Sequence, residues 1–292
     1  MKNTLKQTTQ YFLRLINIKH TLFGLPYVVS AMVLAAKGIP SFRIILLTLF
    51  CTVTLASGAM ALNRWVDAKL DAKNPRTSHR ILPSGKLTRN AALLFIIICF
   101  ALFGMGAYGL NSLAFKLSPI PVALIIVNAY GKRFTSMTHY MFGLIMALAP
   151  IGAWIAVRGS FDTDILFYAV GVFTWYVGFD LFYALLDVDF FKKYRLYSIP
   201  SRFGNAVAIL TARNMHLIAY LLFFIHGGVF SLGLFYFIGL VISGLILLYE
   251  HYMVSKYGII KLDKRFFYMN SAISLILCAG TLMDIAVYGY RA

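Results

Sequence analysis

Residues 63 to 77 read NRWVDAKLDAKNPRT, an asparagine and two aspartates at four-residue steps followed by a basic stretch. On an α-helix Asn63, Asp67 and Asp71 share one face, each about one turn from the next. Two carboxylates at that spacing repel each other by roughly 0.2–0.5 kcal/mol unless a cation lies beside them. Such a face suits a hard cation, above all Mg²⁺, which takes one or two carboxylates and completes its shell with waters and substrate phosphates. The competing reading of the two aspartates is pairing with Lys or Arg at the lipid headgroups. A second acidic helix follows at FDLFYALLDVDFFKK, residues 179 to 193, where Asp180 and Asp187 stand in apolar sequence. A carboxylate near the bilayer centre costs ~2.5 kcal/mol or more, so an acid retained there is a functional candidate by default. For Asp180 the alternative is a carboxylate satisfied by an Asn or Tyr on a neighbouring helix.

Basic residues accompany both acidic stretches: Arg76 and Arg80 after the first, Lys132 and Arg133 in a loop between them, and Lys193 after the second. Singly, each reads equally well as an ordinary cytoplasmic-side charge. Together they could grip phosphate oxygens, Arg through a bidentate fork and Lys as a point charge. A bound metal and these cations would stabilise a departing diphosphate and leave an allylic cation, which a water-poor helix bundle would protect until an electron-rich acceptor attacks. The substrate implied has a diphosphate at one end and a long hydrocarbon at the other.

The elements that must position these groups are membrane helices. Apolar residues are 60% of the 292 and charged residues only 13%, and the mean hydropathy is +0.78, far from soluble usage. Runs long enough to cross ~30 Å of hydrocarbon lie near residues 20–37, 42–66, 90–110, 113–130, 139–157, 165–187, 205–226, 229–253 and 268–289. The expected fold is an all-α polytopic membrane protein of nine transmembrane helices. The first run is read as a membrane helix rather than a signal peptide, because it is long and contains Pro26.

With the N-terminus cytoplasmic, 22 of the 27 Lys and Arg fall at the tail or in the loops after helices 2, 4, 6 and 8. They run from Lys2, Lys6, Arg14 and Lys19 through Arg64 to Arg89, Lys132 and Arg133, and Lys192 to Arg213, to Lys256, Lys261, Lys264 and Arg265. Lys37, Arg43, Lys116, Arg158 and Arg291 lie outside that set. The positive-inside rule then places the N-terminus in the cytoplasm and the C-terminus outside. The net charge of +17 is accordingly topological, with some attraction to anionic lipid, and gives no reason to invoke nucleic acid. Cys51, Cys99 and Cys278 are scattered in apolar spans and read as packing residues. His20, His79, His139, His216, His226 and His251 lack metal-ligand spacing and read as structural.

A shift of 120 residues lays Asn63, Asp67 and Asp71 over Tyr183, Asp187 and Phe191, each set ending a helix ahead of a basic loop with Pro, Ser and Gly. Two four-helix halves plus a ninth helix, with the acidic faces opposed, would follow from that repeat. Residues 1–292 form a single domain in this reading, with no linker long enough to divide the chain.

NRWVDAKLDAKNPRTSHRILPSG at 63–85 resembles the first signature of the UbiA superfamily of membrane prenyltransferases, and FDLFYALLDVDFFKKYRLYSIPSRFG at 179–204 resembles the second. HTLFGLP at 20–26, YGKRFTSMTH at 130–139, LAPIGAWIAV at 148–157, YEH at 249–251 and FFYMN at 266–270 extend the likeness over essentially the whole chain. The resemblance implies Mg²⁺ and diphosphate held by Asn63, Asp67 and Asp71 with Arg76 and Arg80 nearby, and the corresponding role for Asp187. It makes Lys132 and Arg133 a diphosphate clamp with Tyr130 beside them, and turns Asp180 and Tyr183 toward the aromatic acceptor. The connecting phrases are most similar to the bacterial 4-hydroxybenzoate polyprenyltransferase branch, including relatives that act on a dihydroxynaphthoate in a menaquinone route.

Three positions depart from the family pattern. Phe191 stands where the second signature carries another aspartate, Lys19 where close relatives have an acid, and Leu186 where a polar amide is common. Asp189 cannot replace the missing aspartate on an unbroken helix, because two residues are about 200° of rotation.

The expected activity is Mg²⁺-dependent transfer of a polyprenyl group from its diphosphate to an aromatic acid of ubiquinone or menaquinone biosynthesis. The partners are then a polyprenyl diphosphate, the aromatic acceptor and the bilayer, with no obligate protein partner. The expected location is the bacterial inner membrane, with the active site on the cytoplasmic side. The acceptor is 4-hydroxybenzoate or a relative, the alternative being 1,4-dihydroxy-6-naphthoate. A different class, a transporter or non-catalytic lipid-binding protein, would also hold acids and repeats in the membrane, but near mid-bilayer rather than at one face.

Overall fold

The computed structural model describes residues 10–16, 23–258 and 263–290, the side chains of 263–265 excepted. The charges expected at Lys2, Lys6, Lys19, Lys261, Lys264, Arg265 and Arg291, and the ring of His20, lie outside the described residues. After a helical run at 10–16 come α1 (Leu25–Ala36), α2 (Phe42–Asp71), α3 (Arg89–Leu110), α4 (Ser112–Leu117), α5 (Pro119–Gly131) and α6 (Thr138–Arg158). Then follow α7 (Ile165–Ala184), a 3-10 turn (Leu185–Asp187), α8 (Val188–Lys193), α9 (Ile199–Phe203), α10 (Asn205–Val229), α11 (Leu234–Tyr257) and α12 (Asp263–Tyr288). No strand is present among the described residues.

Eight of the described helical stretches are long and apolar enough to cross a membrane; α4 with α5 forms one of them, and α7 with the 3-10 turn and α8 another. The ninth expected span, 20–37, corresponds to α1, whose 12 residues reach only about 18 Å at 1.5 Å per residue. Residues 17–22 before it are not described. The last two helices extend past or before their expected ends, to Tyr257 and from Asp263.

The chain gathers into two compact units, one of residues 1–25 and 46–130, the other of 26–45 and 131–292. The first unit is built on α2, α3, α4 and α5. Apolar burial gives little drive for helix association inside a bilayer, so small residues that allow close approach decide such contacts. Gly106 on α3 lies so near α2 that a Cβ there would stand 2.6 Å from Cys51 Sγ, and one at Gly58 would stand 2.6 Å from the Phe100 ring. Thr88 caps α3, its side chain accepting from Ala91 N–H. The outward faces carry Leu94, Ile97, Met105 and Tyr108, all exposed, as lipid-facing residues are.

The second unit is centred on α7, packed against α6 and α10. Its most apolar window is 72% buried, against 11–39% for every other span. Tyr27 of α1, Tyr168, Trp175, Tyr176 and Phe182 of α7, Phe223 of α10 and Phe266 of α12 are all buried to within 1% and make up its aromatic core. Several acids of this unit are structural. Asp284 on α12 accepts from the N–H groups of Gly233, Phe235 and Tyr236 at 2.9, 3.2 and 2.8 Å, capping the positive end of α11 from another helix. Asp162 accepts from Trp154 Nε1–H at 2.8 Å. Glu250, fully buried, accepts from Asn270 Nδ2–H at 2.6 Å. The three cysteines are buried and free.

Candidate active site

In the first unit α2 runs unbroken to Asp71, so the four-residue spacing of Asn63, Asp67 and Asp71 is a true helical spacing. Asp67 is 4% exposed and Asp71 8%, whereas Asn63 is exposed. The chain then turns back on itself. Thr77 Oγ1 donates to the Asp71 carbonyl at 3.1 Å, and Asn74, buried, accepts from Arg76 N–H at 3.0 Å. These turns bring Arg80 over the helix end, where its Nη1 donates to both Asp71 oxygens at 3.0 and 2.8 Å. The like-charge conflict between Asp67 and Asp71 is thus relieved in part by a guanidinium nine residues on. Tyr130, near the end of α5, is 40% exposed.

In the second unit the helix that begins as α7 does not reach Asp187. Regular α-helix ends at Ala184, a 3-10 turn covers Leu185–Asp187, and Asp187 has φ −119° before α8 resumes. Short 3-10 turns inside long helices recur at functional positions. The 120-residue repeat is therefore matched in sequence but not in backbone: Asp71 ends a helix, and Asp187 stands in a break. Asp180 and Tyr183 remain on α7 proper, both partly exposed, with Tyr183 stacked on Phe179 at 6.2 Å.

Phe191, in the place of the absent aspartate, has the Lys132 ammonium 5.9 Å from its ring centroid, within range of cation–π attraction. The loop carrying Lys132 and Arg133 is pinned by Tyr197 N–H, which donates to the Lys132 carbonyl at 2.7 Å. Lys193 is exposed, its ammonium 5.8 Å from the Tyr194 ring. Asp189 is exposed in the first turn of α8.

One neighbour of a candidate site residue escaped sequence reading. His139, set aside among the structural histidines, is 3% exposed and its Nδ1 lies 2.6 Å from Asp180 Oδ2. The signal was its place at the end of YGKRFTSMTH, at the start of a helix directly after the basic loop.

The donor set can be tested against a divalent metal. Asp67 and Asp71 are hard oxygen donors, buried and one turn apart. Among the described residues no three His, Cys, Asp or Glu gather closely enough to cage an ion by themselves. Two carboxylates without a full cage fit Mg²⁺, which is commonly held by one or two carboxylates and substrate phosphates.

Comparison with known proteins agrees with this chemistry. The profile of the UbiA prenyltransferase family matches residues 24–272. The chain belongs to the UbiA prenyltransferase family. A 4-hydroxybenzoate octaprenyltransferase of Shewanella sp. (strain ANA-3) is 30% identical over 205 residues, covering 69% of this chain and 71% of that one. The apo structure of a UbiA homologue from Aeropyrum pernix K1 superposes with a TM-score of 0.83 at 27% identity, over 92% of this chain and 98% of that one. A UbiA homologue from Archaeoglobus fulgidus, solved bound to DMAPP and Mg²⁺, shares the fold with a TM-score of 0.69 at 19% identity, covering 94% of this chain and 99% of that one. As a UbiA prenyltransferase the chain is a transferase of the membrane, and the transport and lipid-carrier alternative gives way to catalysis.

Proposed function

We propose that residues 1–292 act as one prenyltransferase domain that moves a polyprenyl group from its diphosphate to 4-hydroxybenzoate or a related quinone precursor. The reading rests above all on the buried Asp67 and Asp71, one turn apart at the end of α2 with Arg80 closing over Asp71, in a chain that the family profile matches across 24–272. The name of the Shewanella relative supports the acceptor class, and the Archaeoglobus complex supports the donor and metal.

Asn63, Asp67 and Asp71 hold Mg²⁺ in this mechanism, and Asp187 takes the corresponding role in the second unit. The ion, when bound, supplies Lewis-acid stabilisation of the leaving diphosphate. Arg76, Arg80, Lys132, Arg133 and Lys193 neutralise the phosphate oxygens, and Tyr130 adds a hydroxyl at the loop. Asp180 and Tyr183 orient the aromatic acceptor. Apolar helix faces exclude water from the allylic cation. The protein acts in the bacterial inner membrane with its N-terminus and site on the cytoplasmic side, and needs no obligate protein partner.

Purified protein in lipid, given Mg²⁺, a polyprenyl diphosphate and a panel containing 4-hydroxybenzoate and 1,4-dihydroxy-6-naphthoate, should release a prenylated product readable by mass spectrometry. The panel identifies the acceptor. Asp67→Asn should abolish the Mg²⁺-dependent turnover. Folded protein that prenylates no acceptor refutes the activity, and an unchanged rate in D67N refutes the metal role of Asp67.

A further inference from the structure

Both ring nitrogens of His139 are engaged. Nδ1 lies 2.6 Å from Asp180 Oδ2, and Nε2 accepts from the Ile199 N–H at 3.4 Å. The second bond decides the first. A ring nitrogen that accepts an amide N–H carries no proton, so the proton is on Nδ1 and is donated to the carboxylate. A doubly protonated ring would turn Nε2–H against Ile199 N–H. His139 is therefore a neutral donor and Asp180 its anionic acceptor.

The amide that selects this tautomer is itself held in place. Ile199 opens α9 immediately after Ser198, whose hydroxyl accepts from Ser201 N–H at 3.2 Å while Ser201 Oγ accepts from Ser198 N–H at 2.9 Å, a reciprocal cap. The preceding residue, Tyr197, pins the Lys132 carbonyl. One short segment, 197–201, thus fixes both the loop of Lys132 and Arg133 and the imidazole behind Asp180. The pair is asymmetric: the His139 side chain is 4% exposed and that of Asp180 31%. The bond from His139 is the one hydrogen bond that the Asp180 side chain makes among the described residues.

We propose that His139 is a positioning residue, a sealed Nδ1–H donor that holds Asp180 as an oriented anion so that its other oxygen accepts the hydrogen bond of the ring hydroxyl on the aromatic acceptor. This rests on the reading that Asp180 serves the acceptor. Orientation of a carboxylate through a buried imidazole is the second-tier support that precise sites require.

The two amide replacements of histidine separate this role from mere packing, because the asparagine amide nitrogen falls near the place of Nδ1 and the glutamine amide near that of Nε2. His139→Gln should raise the acceptor KM or lower kcat at least tenfold, with the KM for polyprenyl diphosphate within twofold of wild type. H139N should recover most of the loss. The double variant H139Q/D180N should be no worse than D180N alone within twofold, since His139 acts only through Asp180. Equal impairment of H139N and H139Q, or losses that multiply in the double variant, overturns the proposal.

¹⁵N NMR of histidine-labelled protein in micelles provides a readout independent of turnover. His139 should be found as the neutral Nδ1–H tautomer, with its Nδ1–H signal shifted in D180N, and an Nε2–H ring overturns the proposal even if the enzyme is active. Wild-type protein that prenylates nothing refutes the function proposed above, and the tautomer then still decides the His139–Asp180 pairing.

Discussion

Replacing Arg80 by alanine separates its pairing with Asp71 from the phosphate contact proposed for it. Its Nη1 bridges both oxygens of Asp71 at 2.8 and 3.0 Å, with side-chain exposures of 28% for Arg80 and 10% for Asp71. Breaking a fully buried ion pair costs ~3–5 kcal/mol, and an exposed pair is worth ~0–1 kcal/mol. A pair whose acid is buried and whose base is about one quarter open falls between, at about 2 kcal/mol. Most of that is the cost of leaving Asp71 charged and alone, so R80A/D71N, which removes the charge, should recover more than half of it. Thermal unfolding in one detergent should therefore rank wild type, then R80A/D71N, then R80A.

Loss of one charge-assisted contact to phosphate, worth ~1.5–3 kcal/mol, should in addition lower kcat/KM for the polyprenyl diphosphate by about 10- to 100-fold at 1.4 kcal/mol per decade. The lysine variant keeps the charge but loses the fork and should lie between. An R80A protein as stable as wild type, or a double variant no more stable than R80A, refutes the buried pair. Unchanged kcat/KM in folded R80A confines Arg80 to supporting Asp71.

Two further outcomes are expected. Phe191→Leu removes a cation–π contact worth ~0.5–1 kcal/mol and should raise the KM for the diphosphate about two- to fivefold without changing the Mg²⁺ requirement; an unchanged KM would mean that Phe191 does not hold Lys132 for the substrate. Asp284→Ala strips the cap from α11 and leaves three amide groups unanswered, at about 2–4 kcal/mol, so unfolding should move to lower temperature while turnover per folded molecule stays near wild type, as checked by melting and by rates normalised to the folded fraction.

The membrane class and most helix positions were legible because the apolar content is extreme and the runs are long. Asp67 and Asp71 were legible because a regular helix makes spacing equivalent to geometry. Asp187 was legible as a residue but not as a conformation: the apolar pattern continues through Leu185 and Leu186, and nothing in it marks the passage into a 3-10 turn. Of the first span, 20–37, the described helix is α1, Leu25–Ala36, and its start at 20–22 lies outside the described residues. His139 was passed over because its meaning depends on Asp180, 41 positions away on another helix. Asp284 was invisible for the same reason, its amide partners lying 48 to 51 residues earlier. Contacts between helices depend on which faces meet, and one sequence does not state that.

The capping of α11 by Asp284 bears on how the protein is made. Synthesis delivers α11 before α12, so while residue 284 is still unmade the amides of Gly233, Phe235 and Tyr236 have no carboxylate to receive them. An uncapped helix end tolerates water but not hydrocarbon. The finished start of α11 therefore depends on α12, and a chain truncated ahead of Asp284 would leave these three amides to water or to another acceptor.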